Sequence, residues 1–462
     1  MFEKVLVANR GEIAVQIIRA LHEVGSQAVA VYSVADQDSL FVRLADEAVC
    51  IGDGPVNQSY LNMQAVISAA NLTGCQAVHP GYGFLSENAA FAQLCADCQL
   101  TFIGPSPAVI DQMGDKENAR QTMQRLGVPV IPGSQAVLEN VDAALKSAHE
   151  LGYPVMIKAA AGGGGKGIRA VNDDQALARA FQTAQQEAQA SYDDQRLYLE
   201  KIIAPAKHIE VQVLADQQGH VVYLPERDCS LQRNHQKVME ETPCQVMTRA
   251  ERLELGQLVA DATKKLGYTN TGTYEFLMDQ QHHFYFLEMN TRLQVEHTVT
   301  EMVTGIELIK AQLTIAAGEP LPFAQADIHV QGTALECRLN AEDPQHDFRP
   351  QPGRIEQLIY PIGTLGVRID AGVVAGSLIA PFYDSMIAKV IVHSNQRQTT
   401  LNKMRRCLDE LMLTGVQTNQ DFLAALLNTK AVADGTYTTT YIEQDFLKGW
   451  LNDAQAQVSS AN

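Results

Sequence analysis

Phe284-Tyr-Phe-Leu-Glu-Met-Asn-Thr-Arg-Leu-Gln-Val-Glu-His297 is the stretch on which the reading of this chain turns. An extended segment sends alternate side chains to opposite faces. Glu288, Asn290, Arg292, Gln294 and Glu296 then share one face, with Met289, Thr291, Leu293 and Val295 on the other. The preceding run, Gly272-Thr-Tyr-Glu-Phe-Leu-Met278, also reads as a strand, and 279–283 as the turn between them. In a simple antiparallel hairpin Glu275 comes out opposite Glu288, where like charges repel. Two ionised carboxylates with the Asn290 carbonyl close by suit a hard divalent cation such as Mg²⁺. Arg292 then supplies a fixed cation beside the metal, and Glu296 a further carboxylate. The same alternation also fits a half-exposed sheet that turns its carboxylates to water.

The 462 residues are too many for one ordinary core, so two to four units are expected. No apolar run approaches the roughly 18 residues of a membrane span. The N-terminus, Met1-Phe-Glu-Lys-Val-Leu-Val-Ala8, enters a strand directly and lacks the features of a signal peptide. This points to the cytoplasm. Lys and Arg number 35 against 53 Asp and Glu, a formal charge of −18. Such an acidic chain is poorly suited to nucleic acid or anionic membrane, and an anionic substrate would need a local cluster of bases. The eight Cys read as reduced thiols. Cys95-Ala-Asp-Cys98 is a single pair inside a helical pattern, 88–100, which argues against zinc.

Along the chain, a strand at 5–8, helical periodicity at 12–24 and a strand at 27–33 form a β-α-β opening that suggests a parallel sheet. Its first turn, Ala8-Asn-Arg-Gly-Glu12, is not Gly-x-Gly-x-x-Gly, so the dinucleotide fingerprint is missing. Pro80-Gly-Tyr-Gly83 reads as a tight turn, or as a loop kept open for substrate. Asp115 is a plausible cap for the next helix, and Lys116 in its first turn opposes the helix dipole unless an anion lies near. Tyr153-Pro-Val-Met-Ile-Lys158 leads into Ala159-Ala-Ala-Gly-Gly-Gly-Gly-Lys-Gly167. That glycine loop lies between strands and Lys166 is followed by Gly167, so it is not a Gly-x-x-x-x-Gly-Lys-Ser/Thr loop. Lys158 and Lys166 flanking free backbone N–H groups favour phosphate contact over a merely flexible loop.

Strands are expected at 195–201 and 208–215, with His208, Glu210 and Gln212 on one face of the second. The run 226–237 carries Arg227, Arg233, His235 and Lys237, a local basic patch or a solvated loop. Helices are expected at 251–266 and 301–317, and a linker at 320–331. Beyond it come strands at 332–339, 353–360 and 386–392, then helices at 400–413 and 420–427. Arg338 closes the apolar strand before Asn340.

Taken together in order, Ala8-Asn-Arg-Gly-Glu-Ile13, His79-Pro-Gly-Tyr-Gly-Phe-Leu-Ser-Glu-Asn88, Met113-Gly-Asp-Lys116, Lys158 with its glycine loop and His208-Ile-Glu-Val-Gln-Val213 form a recognisable series. Glu226-Arg-Asp-Cys-Ser230, Glu288-Met-Asn-Thr-Arg292, Gln294-Val-Glu-His297, Glu336-Cys-Arg338 and Tyr383-Asp-Ser-Met386 continue it. The chain resembles the biotin carboxylase component of biotin-dependent carboxylases, in the ATP-grasp superfamily. The resemblance implies an α/β (α+β) ATP-grasp fold. An N-terminal Rossmann-like parallel-sheet domain would span 1–114, an ATP-grasp domain 115–331 with a lid at about 132–202, a β-rich α+β domain 332–446, and a tail 447–462.

What the resemblance implies for chemistry is ATP-dependent carboxylation of biotin through carboxyphosphate. Lys116, Lys158, Glu200, Lys201, Ile202, Ile203, His208, Gln232 and His235 would bind ATP together with Glu275 and Glu288. Gly162, Gly163, Gly164 and Gly165 would form the lid over its phosphates. Glu275, Glu288 and Asn290 would hold two Mg²⁺ or Mn²⁺ ions. Bicarbonate would lie against Lys237, Arg292, Gln294, Val295 and Arg338, with Lys237 and His235 near the reacting phosphate and Glu296 as general base; Arg292, Glu296, Arg338 and Lys237 would be the catalytic residues. Biotin would meet Tyr82, Gly83 and Arg338, the last stabilising its enolate.

There is no Ala-Met-Lys-Met biotinylation motif, so biotin is expected on a separate biotin carboxyl carrier protein, with carboxyltransferase subunits as further partners. A homodimer is expected, although Gln16 stands where bacterial relatives commonly carry Arg; Arg19 and Glu23 remain. The usual setting is acetyl-CoA carboxylation for fatty-acid synthesis. Propionyl-CoA or pyruvate as acceptor would be set by partners. A different ATP-grasp ligase would lack Glu336-Cys-Arg338 and Gln294-Val-Glu-His297, and a non-catalytic module should have lost one of Glu275, Glu288, Arg292, Glu296 or Arg338.

Overall fold

The structure, a computed structural model, describes residues 1–134, 137–159, 169–192 and 195–453. It divides into two compact units: Met1–Gly114 with Lys207–Glu275 and Met289–Asn462, and Asp115–Ala206 with Phe276–Glu288. Among the described residues no helix is long and apolar enough to cross a membrane.

In the first unit, β1 (Lys4–Val7), α1 (Gly11–Glu23), β2 (Gln27–Ser33), α2 (Leu40–Leu44), β3 (Glu47–Gly52), α3 (Met63–Leu72), β4 (Ala77–His79), α4 (Ala89–Asp97), β5 (Thr101–Phe102) and α5 (Pro107–Gly114) follow one another. The strands make a five-stranded parallel sheet in the order β3-β2-β1-β4-β5, as the β-α-β opening implies. Ile13, Ile17, Ile18 and Leu21 of α1 are fully buried, so the helical spacing of the apolar residues does bury one face. The Asn9 side-chain amide donates to the Pro80 carbonyl at 2.6 Å and the Tyr82 carbonyl at 2.8 Å. Gly81 sits there at φ 63°, where a Cβ would meet that amide at 2.9 Å. Gly81 therefore permits this close approach of the chain to Asn9.

The second unit contains α6 (Lys116–Arg125), α7 (Val141–Leu151), β6 (Val155–Ala159), β7 (Arg169–Val171), α8 (Asp174–Tyr192) and β8 (Leu197–Lys201). Antiparallel β7-β6-β8 packs Val155, Ile157, Leu197 and Leu199 against Leu177 and Phe181. Asp115 caps α6, accepting from the Asn118 N–H at 2.8 Å.

The first unit resumes with β9 (Lys207–Ala215), β10 (Val221–Tyr223), β11 (Arg227–Arg233), β12 (Gln236–Thr242), α9 (Arg249–Leu266) and β13 (Asn270–Met278), whose last residues, from Phe276, belong to the second unit. After β14 (Phe284–Asn290) come α10 (His297–Thr304), α11 (Leu308–Ala316), β15 (Thr333–Asn340) and the strands Val367–Ala371 and Met386–Ser394. A large sheet runs β13-β9-β11-β12-β15 and on to Met386–Ser394 and Val367–Ala371. Its pairing is antiparallel from β9 to the far edge. The helices Arg397–Glu410 and Gln420–Leu427 cover it, with Leu401, Met404, Phe422 and Leu426 buried against Leu335 and Val390.

Several sequence expectations are corrected. The extended reading of 284–297 holds only to Asn290; Thr291 to Glu296 turn, and Glu296 is the N-cap of α10. The helix expected at 301–317 is two helices, because Gly305 ends α10 in the left-handed region at φ 73°. The run 226–237 is not a solvated loop: it forms β11 and β12, which bury Arg227 completely. The strand at 353–360 is two short strands, Gly353–Arg354 and Gln357–Ile359. The helix read as 400–413 is Arg397–Glu410, and Met412–Thr414 forms a strand.

Candidate active site

In the first unit the sheet gathers charged side chains from strands far apart in sequence onto one buried patch. Lys237 on β12 is its hub. The Nζ ion-pairs with Glu210, lies 3.1 Å from Glu275 Oε1 and 2.6 Å from Glu296 Oε1. His208 Nε2 is 2.9 Å from Glu275 Oε2 and 3.4 Å from Glu210. β9 and β13 supply these residues, and the turn after β14 brings Glu296 back to them.

Arg227 locks the floor. Its guanidinium donates to Glu210 at 3.0 Å, Gln212 and Thr300 at 3.1 Å, Thr273 at 3.2 Å, and to Gln294. Gln294 in turn donates to Glu275 at 2.6 Å, and Asn290 donates to the same oxygen at 2.7 Å. Arg292 donates to Asn290 Oδ1 at 2.8 Å and to Glu87 at 2.8 Å. Glu87 also accepts from the Thr291 N–H at 3.0 Å, which fixes the chain where it leaves the strand.

At the other end, Arg338 on β15 donates through Nε to Glu240 at 2.6 Å and through Nη2 to Glu296 Oε2 at 2.8 Å. Lys389 stands opposite Arg338 on the neighbouring strand and donates to the Val295 carbonyl at 2.8 Å. Its Nζ lies 5.8 Å from the Tyr82 ring centroid, while Gly83 is exposed beside it. The first unit therefore unites His208, Lys237, Glu275, Asn290, Arg292, Gln294, Val295, Glu296 and Arg338 in one chain of contacts. Gln232 is buried on β11, and His235 is exposed in the β11–β12 turn at φ 64°.

The second unit holds the remaining candidates. Lys158 ion-pairs with Glu200 across β6 and β8. Lys116 is half-exposed, 3.5 Å from Glu288 Oε2. Lys201 donates to the Gly152 carbonyl at 2.7 Å, and the Ile202 N–H to the Pro154 carbonyl at 3.2 Å; Ile203 beside it is half-buried. Gly162 to Gly165 and Lys166 lie outside the described residues.

Burial and neighbouring charge set the ionisation. Burial pushes Glu275 up, but Lys237 and His208 outweigh it and hold this carboxylate below its ordinary range. Glu296 is also held low: burial and Glu210 raise it, while Lys237, Arg338 and Arg227 prevail. In the first unit an ionised Glu275 and the Asn290 amide offer oxygen donors, the chemistry that fits a hard divalent cation. Zinc is a poorer fit for that set.

Residues 1–110 match the family model "Biotin carboxylase, N-terminal domain", 115–324 match "Carbamoyl-phosphate synthase L chain, ATP binding domain", and 336–444 match "Biotin carboxylase C-terminal domain". Biotin carboxylase 1 of Bacillus subtilis is 48% identical over 444 residues, which is 96% of this chain and 98% of that relative. The chain belongs to the biotin carboxylase family. It is an ATP-dependent ligase of that family. A subunit of pyruvate carboxylase from Methanothermobacter thermautotrophicus is 46% identical over 444 residues, covering 96% of this chain and 90% of that one. The crystal structure of the biotin carboxylase domain dimer of Hydrogenobacter thermophilus 2-oxoglutarate carboxylase, with MgADP, ADP and bicarbonate, is 46% identical with a TM-score of 0.91. That match covers 96% of this chain and 98% of that one.

Four parts of this biotin carboxylase site escaped the sequence reading. Glu87 lies within the His79 to Asn88 motif and gives no sign of its own there, and Glu210 and Glu240 look like ordinary strand carboxylates. Lys389 did leave a signal: one Lys inside the apolar run Met386-Ile-Ala-Lys-Val-Ile-Val392 is too costly to bury without a partner.

Proposed function

We propose that this chain carboxylates biotin carried on a separate carrier protein, using MgATP and bicarbonate, and that it does so for acetyl-CoA carboxylation. The observation that carries the reading is the Glu296 carboxylate, buried and ionised between Lys237 and Arg338. Bicarbonate must lose its proton before it attacks a phosphoryl group effectively, and a positioned carboxylate takes such a proton. Glu296 is a weak base while two cations grip it. Bicarbonate entering beside Arg292 would draw Lys237 and Arg338 toward its developing charge, freeing Glu296 to accept the proton.

The bicarbonate oxygen then attacks the γ-phosphorus of ATP, ADP leaves, and carboxyphosphate forms. Its C–O bond to phosphate then breaks, the carboxyl group passes to N1 of biotin, and the departing phosphate takes the N1 proton. Lys116, Lys158, His208 and Lys237 are the cations assigned to nucleotide phosphate, since phosphoryl transfer gains chiefly from positioning and charge stabilisation. Glu200, Lys201, Ile202, Ile203, Gln232 and His235 complete the nucleotide site, and Gly162 to Gly165 its lid. Mg²⁺ or Mn²⁺ held by Glu275, Glu288 and Asn290 would neutralise charge on the phosphates when bound. Gln294 and the Val295 backbone hold bicarbonate, while Tyr82, Gly83 and Arg338 receive biotin, with Arg338 facing the enolate oxygen.

The solved relative with MgADP and bicarbonate supports these ligands, and its dimeric state supports a homodimer. In the chain itself Gln16 is turned inward, its Oε1 accepting from Arg368 at 3.0 Å, while Arg19 and Glu23 stay exposed for such a contact. Relatives named for pyruvate and 2-oxoglutarate carboxylases make a different acceptor the second reading. Purified chain with free biotin, bicarbonate and MgATP tests the activity. ADP release should require bicarbonate and rise with biotin. Recovery of the carrier and carboxyltransferase with the tagged chain tests the acceptor.

A further inference from the structure

Arg338 does not stand alone on its strand. β12 and β15 pair so that Glu240 lies directly opposite Glu336, and both are fully buried. Like charges directly opposite each other in a sheet repel, and burial multiplies the cost. Each carboxylate uses one oxygen well. Glu240 Oε1 accepts from Arg338 Nε, and Glu336 Oε2 accepts from Thr298. The other oxygens, Glu240 Oε2 and Glu336 Oε1, are buried without a donor. Two donor-less oxygens on facing residues are what a missing proton leaves behind.

We propose that Glu240 and Glu336 share one proton, and that the pair positions Arg338 for biotin. Ionised Glu240 anchors the guanidinium, while the proton on Glu336 satisfies both orphaned oxygens and keeps a further anion away from Arg338. The surroundings agree. Burial chiefly raises Glu240 to about 7 against Arg338, and Glu336 to about 8 against Lys389. The charged neighbours are Arg338 on β15, Lys237 on β12, Glu296 before α10 and Lys389 on the next strand, itself 3.3 Å from Glu12. Cys229 on β11 also faces Glu240. Interacting carboxyls of this kind titrate as a pair. Above that range the second carboxylate ionises and competes with the biotin enolate for Arg338.

The role for Arg338 rests on the proposed function, but the proton does not, so infrared spectroscopy separates them. The folded protein at pH 7 should show a carboxylic-acid C=O band that Glu336→Gln removes, that Glu240→Gln shifts in frequency by taking away the acceptor carboxylate, and that fades above about pH 8 in the unsubstituted protein. Equal acid bands in all three proteins would overturn the shared proton. So would failure of Glu336→Gln to fold, because glutamine mimics the protonated acid. For positioning, KM for free biotin should rise at alkaline pH in the unsubstituted protein and lose that rise in Glu336→Gln. Parallel pH profiles, which a merely structural pair would give, would overturn that part. Absence of any biotin-dependent turnover alongside a band that behaves as expected would instead count against the proposed function.

Discussion

Lys237 and Arg338 grip opposite oxygens of the Glu296 carboxylate, Nζ at 2.6 Å from Oε1 and Nη2 at 2.8 Å from Oε2. The base is thereby kept ionised in a buried place, and the cations that restrain it are the ones an incoming anion would compete for. Replacing Glu296 with Gln should leave both cations paired, Lys237 with Glu210 and Glu275 and Arg338 with Glu240. Circular dichroism should be unchanged. Turnover should fall by about 10²–10⁴-fold, the usual contribution of a general base; retained turnover would remove Glu296 from that role.

Arg227 organises the floor by holding Glu210, Gln212, Gln294, Thr273 and Thr300 together. Arg227→Leu should destabilise the protein by about 3–5 kcal/mol, because it leaves Glu210 less well paired in the interior. Arg227→Lys should recover only part of this, since one ammonium cannot reproduce the fork of donors. Urea unfolding of both variants checks the order.

How far the sequence could be read depends on whether a residue's partners are near in sequence. Alternation along Phe284 to Asn290 shows the strand, and the β-α-β opening shows the parallel sheet, because both patterns are local. The turn after Asn290 was not legible. It is fixed by Glu87, far back in the sequence, accepting from the Thr291 N–H. The run 226–237 misled for the same reason: Arg227 looks like a surface cation until Glu210 on β9 meets it. Gly305 could have divided α10 from α11, but one glycine inside an apolar helical pattern is a weak stop signal.

His79 is buried at the end of β4, and its Nδ1 accepts from the Gly81 N–H at 3.1 Å. Burial lowers its pKa to about 3 from an ordinary 6.5. The unfolded chain therefore binds a proton that the fold excludes between those values, and stability should fall as pH drops through that window. At pH 5 the slope from this group is about 1.4 kcal/mol per pH unit. His79→Asn should flatten it, measured as unfolding free energy from pH 7 to 4 relative to the unsubstituted protein.

Lys116 is half-exposed and 3.5 Å from Glu288, so its ion pair adds little to stability. Lys116→Gln should shift unfolding free energy by no more than about 1 kcal/mol. Under the proposed function it should raise KM for ATP by about ten-fold, the equivalent of one charge-assisted contact worth about 1.4 kcal/mol. An unchanged KM for ATP would take Lys116 out of the nucleotide site.

Attack of bicarbonate on the γ-phosphorus leaves one bicarbonate oxygen on the released phosphate, and this is the step on which the whole scheme depends. The most direct measurement uses ¹⁸O-labelled bicarbonate with MgATP and free biotin, followed by mass analysis of the phosphate. The account predicts one labelled oxygen in each phosphate formed during carboxylation. Phosphate without label, formed at the same rate as carboxybiotin, would contradict it.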